Sequence, residues 1–431
     1  MKKRHGIGKV IVALVLLFAV CIFAVFASGI KIGFIENYTY NFKLNVLALT
    51  QKLGIELSGE TLEYLQDLPE PQYVEEKPVV EQDEPAASEI ETAEDIPDIE
   101  FEDLVTDDDK AKSTPLALED AATYKYAKYR DYILCVNETS VLAFNDKGKS
   151  LWGIGIHMSE PILDVGNDYY MIAERGGRKI ALFDGKRLVY ETEADGDIKN
   201  AAISENGDVV IVSDKEYYKG SVTVINKRGD KVFVWNSGTD SIIDADIAAG
   251  SRRVAISLLN TDAGADSKVK VFNITNGKEE ADTVFEGSIV FDVDFLGEVV
   301  NLFADDMVTG MSQRGKVLWT IDFSREDFLS YSAENNGYKL LLTDNNNSAE
   351  LSVATSRGKE KSRILPEKKP DCMDIRSGRV AYNSGRDLVF SGLSGRNKMS
   401  HTCPREIRDI YILSDNSLMV VYSSGLDFIQ F

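Results

Sequence analysis

Asp164, Asp244, Asp292, Asp374 and Asp409 recur at corresponding points of a repeated sequence pattern, with Asn200 and Ser332 at two of the other places. Asp246 and Asp294 add a second acid two residues on, hence on the same side of an extended strand. Carboxylates gathered in this way could hold a cation or ordered water, or act as general acids and bases if burial lifts their pKa values. A structural role competes: an aspartate on an inner strand commonly accepts hydrogen bonds from backbone N–H groups of a neighbouring sheet. The residue types favour that second reading, because nothing else in the chain completes a reactive set.

Histidine, the usual proton shuttle near neutral pH, occurs only as His5, His157 and His401, without the HxxxH spacing of a metal-binding helix. Cys21, Cys135, Cys372 and Cys403 form no CxxC pair, so neither a zinc site nor a disulfide framework is expected. Cys372 and Cys403 fall in one repeat and could pair on oxidation, although two small buried apolar residues is the preferred reading. Residues 344–350, Asp-Asn-Asn-Asn-Ser-Ala-Glu, lack the glycine of a calcium loop and read as a hairpin tip. There is no Gly-x-Ser-x-Gly elbow and no phosphate-cradling P-loop. No catalytic residue, cofactor site or metal site is therefore assigned. An enzyme working through carboxylates alone stays open, since spacing along a chain is blind to residues that meet across repeats.

Positioning the aspartates falls to a repeated hairpin. Its clearest copy is residues 143–152, Ala-Phe-Asn-Asp-Lys-Gly-Lys-Ser-Leu-Trp: an alternating strand, a polar turn whose glycine can take positive φ, and a second strand. The turn glycines Gly148, Gly185, Gly229, Gly277, Gly315, Gly358 and Gly395 lie about 41 residues apart on average, in the range of a four-stranded propeller blade. The best-preserved repeat reads as four strands, 198–204, 208–213, 221–226 and 231–235, each rich in Val, Ile or aromatics. The same order can be traced from Thr123, Pro161, Ser241, Ile289, Leu329 and Cys372, and a last copy begins at Arg408. The pattern predicts an all-β fold over residues 112–431: an eight-bladed β-propeller of four-stranded blades, with seven blades as the alternative. The last copy has only three strands, and an open sheet edge invites aggregation, so a segment within 112–118 is expected to supply the fourth.

The net charge of −22 is unevenly distributed. Residues 60–109 hold 20 acidic residues and one basic residue, Lys77, while residues 110–431 are only mildly acidic. No basic stripe along the sequence suits nucleic acid, and that class of partner is set aside. Residues 1–9 are basic, and residues 10–30 carry no charge, long enough as a helix to cross a bilayer. The expectation is a cytoplasmic tail (1–9), one transmembrane helix (10–30) and an extracytoplasmic remainder, making a single-pass protein of the cell membrane. A cleaved signal peptide, with Ala27 and Ser28 at the cut, is the alternative; the apolar run exceeds the usual signal core. Residues 31–68 read as a juxtamembrane stalk with some helical character. Residues 69–111, acidic and Pro-rich, read as a disordered linker.

The run at 143–152 resembles the Ala-x-Asp-x-x-x-Gly-Lys-x-x-Trp repeat of quinoprotein-like (PQQ-like, WD40-like) β-propellers, one residue shorter in the turn. The tail, single span, acidic stalk and propeller together resemble a family of membrane-anchored proteins from clostridial Firmicutes with no assigned function. By this resemblance Trp152, Trp235 and Trp319, at equivalent outer-hairpin positions, dock one blade on the next. A quinone-dependent dehydrogenase of the fold is expected to carry vicinal cysteines, which are absent here. The function expected is a non-catalytic platform for a protein or cell-envelope ligand. A quinoprotein-like or carboxylate-based enzyme at the channel is the alternative, and a ligand sensor the third reading.

Overall fold

The computed structural model describes residues 111–260, 266–323, 327–334, 337–345 and 348–431. The expected tail, span and stalk, and all of the acidic linker but its last residue, lie outside them. Among the described residues the strands form eight four-stranded antiparallel sheets, each built from consecutive strands except one. Blade 1 covers residues 125–155, blade 2 161–193, blade 3 198–237, blade 4 241–285, blade 5 290–322, blade 6 327–364, and blade 7 373–402. Blade 8 combines 409–430 with Lys112–Leu116. Blades therefore number eight, and the seven-bladed alternative falls away.

Within a blade the burial follows from the composition of each strand. The second and third strands are apolar runs covered on both faces: Val209–Ser213 and Gly220–Ile225 of blade 3 are buried throughout. The first strand, facing the channel, and the fourth, on the rim, are covered on one face and keep polar residues on the other. Eight apolar clusters result, and each lies between two neighbouring blades. The joint of blades 4 and 5, for example, packs Val269, Val271 and Phe285 against Val293, Leu302 and Met311.

The repeated turn joins the third and fourth strands, with a register shift beside it in six of the seven blades that carry it. In blade 1 the Asn145 side chain accepts from the N–H groups of Lys147 and Lys149 at 3.0 and 2.9 Å. Gly148, at φ 78°, sits against the Phe428 ring of blade 8, where an added Cβ would lie 2.7 Å from a ring carbon. The tryptophans sit on fourth strands. Trp235 lies 5.3 Å, centroid to centroid, from Phe272 of blade 4, and Trp319 presses on Gly358 of blade 6, where a Cβ would come within 2.3 Å of the indole. Trp152 packs edge-on to Tyr132 of its own blade, within the cluster shared with blade 2.

Closure of the ring uses both ends of the propeller sequence. Lys112–Leu116 pairs antiparallel with Gly425–Gln430, Lys112 opposite Gln430 and Leu116 opposite Leu426. The Ser113 hydroxyl donates to the Asp427 carboxylate at 2.5 Å, and Leu116 is buried with Phe428, Leu413 and Met419. The strand expected from residues 112–118 is thus the outermost strand of blade 8. Leu116→Ala is expected to cost about 2–5 kcal/mol, the range for a buried leucine that leaves a cavity. Urea denaturation of the full chain reads this directly, and a change below about 0.5 kcal/mol, the scale of a neutral surface substitution, would contradict it.

Candidate functional site

The five aspartates lie on first strands, and their hydrogen bonds divide them into two levels. First strands of blades 3, 4, 5 and 6 carry a register shift just before Asn200, Asp244, Asp292 and Ser330. Those of blades 2, 7 and 8 carry none. Asp164 accepts from the Ile203 N–H of blade 3 at 2.8 Å, and Asp374 from the Ile412 N–H of blade 8 at 2.7 Å. These acceptors match Asp246, which accepts from the Phe295 N–H of blade 5 at 2.7 Å. Asp244 instead reaches Val293 N–H, two residues earlier, at 2.9 Å. Asp164, Asp246 and Asp374 therefore share one level, and Asp244 and Asp292 the other. The single level expected from the sequence splits because each bulge adds a residue that cannot be read from spacing.

Most of these oxygens are engaged in joints between blades. Asp244 also takes the Asn200 amide of blade 3 at 2.5 Å, so one carboxylate ties three blades. Asp292 accepts from the Tyr331 hydroxyl of blade 6. Asp374 accepts from the Ser332 hydroxyl at 3.0 Å and from its neighbour's N–H, Ile375, at 2.8 Å. Asp409 departs from the pattern: it takes Ile410 N–H and the Tyr411 hydroxyl, both within blade 8. No group of three or more His, Cys, Asp or Glu among the described residues is arranged to hold a metal ion. Cys135, Cys372 and Cys403 are free thiols.

Burial lifts the acids. Asp164 is pushed up to about 6, chiefly by loss of water, against the lowering effect of its two backbone donors. Asp294 also reaches about 6, where burial and Asp244 outweigh the nearby Lys339. Asp292 stands well above the usual carboxylate range because it is buried and meets Asp244. Asp246 is raised by burial and by Asp294.

Lys339 has no counterpart in the sequence-level reading. It opens the second strand of blade 6 and is fully buried in the joint with blade 5. Its ammonium donates to the Gly337 carbonyl at 3.1 Å and lies 4.8 Å from the centre of the Trp319 ring. Strand register puts Asp294, Asn301, Gly310 and Trp319 in one row on one face of blade 5, the face turned to Lys339. Burial lowers the lysine to about 8, with Asp294 opposing. Among the described residues the apolar cluster of this joint has five buried members, the smallest of the eight. The available signal was a lysine placed directly before the apolar run Leu340-Leu341-Leu342.

Above this joint, at the starts of their first strands, Phe291 and Leu329 are 40% and 38% exposed despite their size. Phe291 stacks on Phe328 at 6.3 Å, and Phe328 on Phe323 at 5.0 Å. First strands begin at the end of the ring opposite the repeated turns, so this apolar patch and the turn rim occupy different faces.

A closed ring of eight four-stranded sheets with its terminal strand completing the last one defines a β-propeller. The chain belongs to a family of unknown function (DUF5711), whose model matches residues 107–431. Among solved structures, the computationally designed Ika8 protein is similar, with TM-score 0.54 and 14% identity over 73% of this chain and 98% of that one. BamB from Moraxella catarrhalis aligns with TM-score 0.49 and 10% identity, covering 74% of this chain and 98% of that one. The Ika8 likeness supports the fold alone. No curated protein matches the sequence.

Two outcomes follow from the buried charges. Acids raised in the folded state stabilise it fully below their unfolded value of about 4, and that stability is lost as pH rises through the folded value. Chemical denaturation between pH 5 and 7 should therefore show stability falling with pH, through Asp164 and Asp294. Lys339, lowered in the fold, adds stability that returns between pH 8 and about 10.5. A stability rising from pH 5 to 7 would contradict the assignment. Separately, Asp374→Ala removes the acceptor for Ser332, Ile375 and Ile412 and should cost about 2–4 kcal/mol, more than one neutral hydrogen bond.

Proposed function

We propose that this chain is a single-pass membrane protein whose propeller lies outside the cytoplasm and acts as a non-catalytic platform for a protein or cell-envelope partner. The observation that carries the reading is the Phe291–Leu329 patch, two large apolar side chains left open on one face of a rigid ring. Further support comes from the channel acids, which are engaged in holding blades together and so are poorly placed to act on a substrate. Anchoring rests on the uncharged run 10–30 after a basic start. Among the described residues no helix is long and apolar enough to cross a membrane; the run lies outside them.

In cells producing the full chain, the protein should sediment with membranes and resist alkaline carbonate, and a chain lacking residues 1–30 should not. Cross-linked purification from those membranes should recover a stoichiometric partner with wild type and lose it with Phe291→Glu, at unchanged melting temperature. The same partner recovered by both chains would remove the patch from the interface, and turnover of a small molecule would replace the platform with an enzyme.

A further inference from the structure

The two open apolar side chains have a common origin. Phe291 and Leu329 are the residues that the register shifts of their first strands leave out of the ladder, between Val290 and Asp292 and between Phe328 and Ser330. A bulge of this kind re-aims the side chain of its extra residue. The corresponding residue of blade 4 is Ile243, half-buried, so three consecutive blades set an apolar side chain at the same point of their first strands. In blade 3 the place belongs to Lys199, which pairs with Asp214 at 3.0 Å and ends the apolar run on that side. Phe291 is backed by a stack in which the buried Phe323 supports Phe328, and Phe328 supports Phe291, so the surface is formed before anything binds.

Acids border this patch. Blade 5 turns from its second to its third strand at Asp305 and Asp306, and the Asp305 carboxylate accepts from the Ile289 N–H, two residues before Phe291, at 2.8 Å. In blade 6 Asp327, two residues before Leu329, stands directly opposite Asp344 on the next strand. Like charges in that arrangement destabilise a sheet, and a cation set between them relieves the repulsion. Among the described residues none of these four acids makes an ion pair, and Asp306 Oδ1 and Asp344 Oδ1 have no hydrogen-bond partner. Arg363, on the fourth strand of blade 6, is held by Glu350 at 2.7 Å and by Glu360 at 2.8 Å. Lys368 and Lys369 belong to the connector to blade 7, where Lys368 lies beside Gly385 of that blade. The patch therefore has an apolar centre and an uncompensated negative border.

We propose that the occupant of this patch is a basic amphipathic segment of the partner protein, one that lays a large apolar side chain over Phe291 and Leu329 and sets lysine or arginine against Asp305, Asp306, Asp327 and Asp344. The proposal rests on the platform reading above and adds to it the chemistry of the ligand. Charge selects this occupant, because an acidic segment, a nucleic acid or an anionic lipid surface meets the same border with repulsion. Burial of the apolar centre supplies most of the affinity, and the acidic border sets the choice of partner and the rate of encounter.

Fluorescence polarisation with the full chain in detergent tests this, using a labelled peptide Lys-Lys-Leu-Phe-Lys-Lys and its counterparts with Ser or Glu in place of Lys. Three chains are compared: wild type, Phe291→Ser, and the isosteric double variant Asp327→Asn with Asp344→Asn. The acidic linker is common to all three, so only differences between them are read. Wild type should bind the Lys peptide at least about tenfold more tightly than either variant, the scale of one central contact or one set of charged partners. The Ser peptide should be indifferent to the two asparagines, and the Glu peptide should gain from them. Equal binding of the Lys peptide by wild type and the double variant overturns the proposal; if Phe291→Ser still weakens it, the platform reading stands with a neutral ligand. Absence of measurable binding of the Lys peptide to wild type overturns the proposal as well, and the platform reading is then decided by the membrane cross-linking alone. Should the double variant melt below wild type, Asp305→Asn takes its place with the same outcomes.

Discussion

A ring of sheets must have no free edge between its first and last members, and the pairing of Lys112–Leu116 with Gly425–Gln430 meets that condition. Each blade buries its apolar surface only against its neighbours, so the eight clusters depend on the ring being shut. Closing a loop of some three hundred residues carries a large but slowly growing entropic cost, and it is offset collectively by all the joints. The terminal strand is short, yet removing it would open two joints to water together.

The joints are chemically unequal. Most are filled by Val, Ile, Leu and aromatic side chains, whereas the joint of blades 5 and 6 embeds Lys339 opposite Asp294 with a smaller apolar cluster. The channel side adds a second kind of fastening, in which carboxylates reach across to backbone N–H groups of the next blade. These bonds satisfy first-strand amides that face the channel instead of another strand, which explains why aspartate recurs there. Buried acids of this kind are costly to ionise, and their raised pKa values reflect that cost, with no reaction implied.

Such a ring presents two faces to its surroundings. One presents a stacked aromatic group with Phe291 and Leu329 uncovered, and the other the polar repeated turns. Each turn is basic for its own reasons of hairpin chemistry, where Gly, Asn, Lys and Arg suit an exposed polar tip.

Much of the architecture was legible along the chain: the glycine period, the short β-branched strands, the number of blades and the need for an N-terminal strand to complete the last one. These are local or periodic properties, and burial of alternate residues imposes them on every copy. The aspartates were legible as a set, but their arrangement was not, because bulges before Asn200, Asp244, Asp292 and Ser330 shift some first strands against others. Nor did spacing reveal that Lys339 of blade 6 is buried against Trp319 of blade 5, since the two belong to different blades. Sequence alone determined what each blade is made of, since strand and turn preferences act over a few residues. Tertiary structure decided which side chains of different blades meet and which charges share a face, since those depend on how the blades are rotated about the common axis.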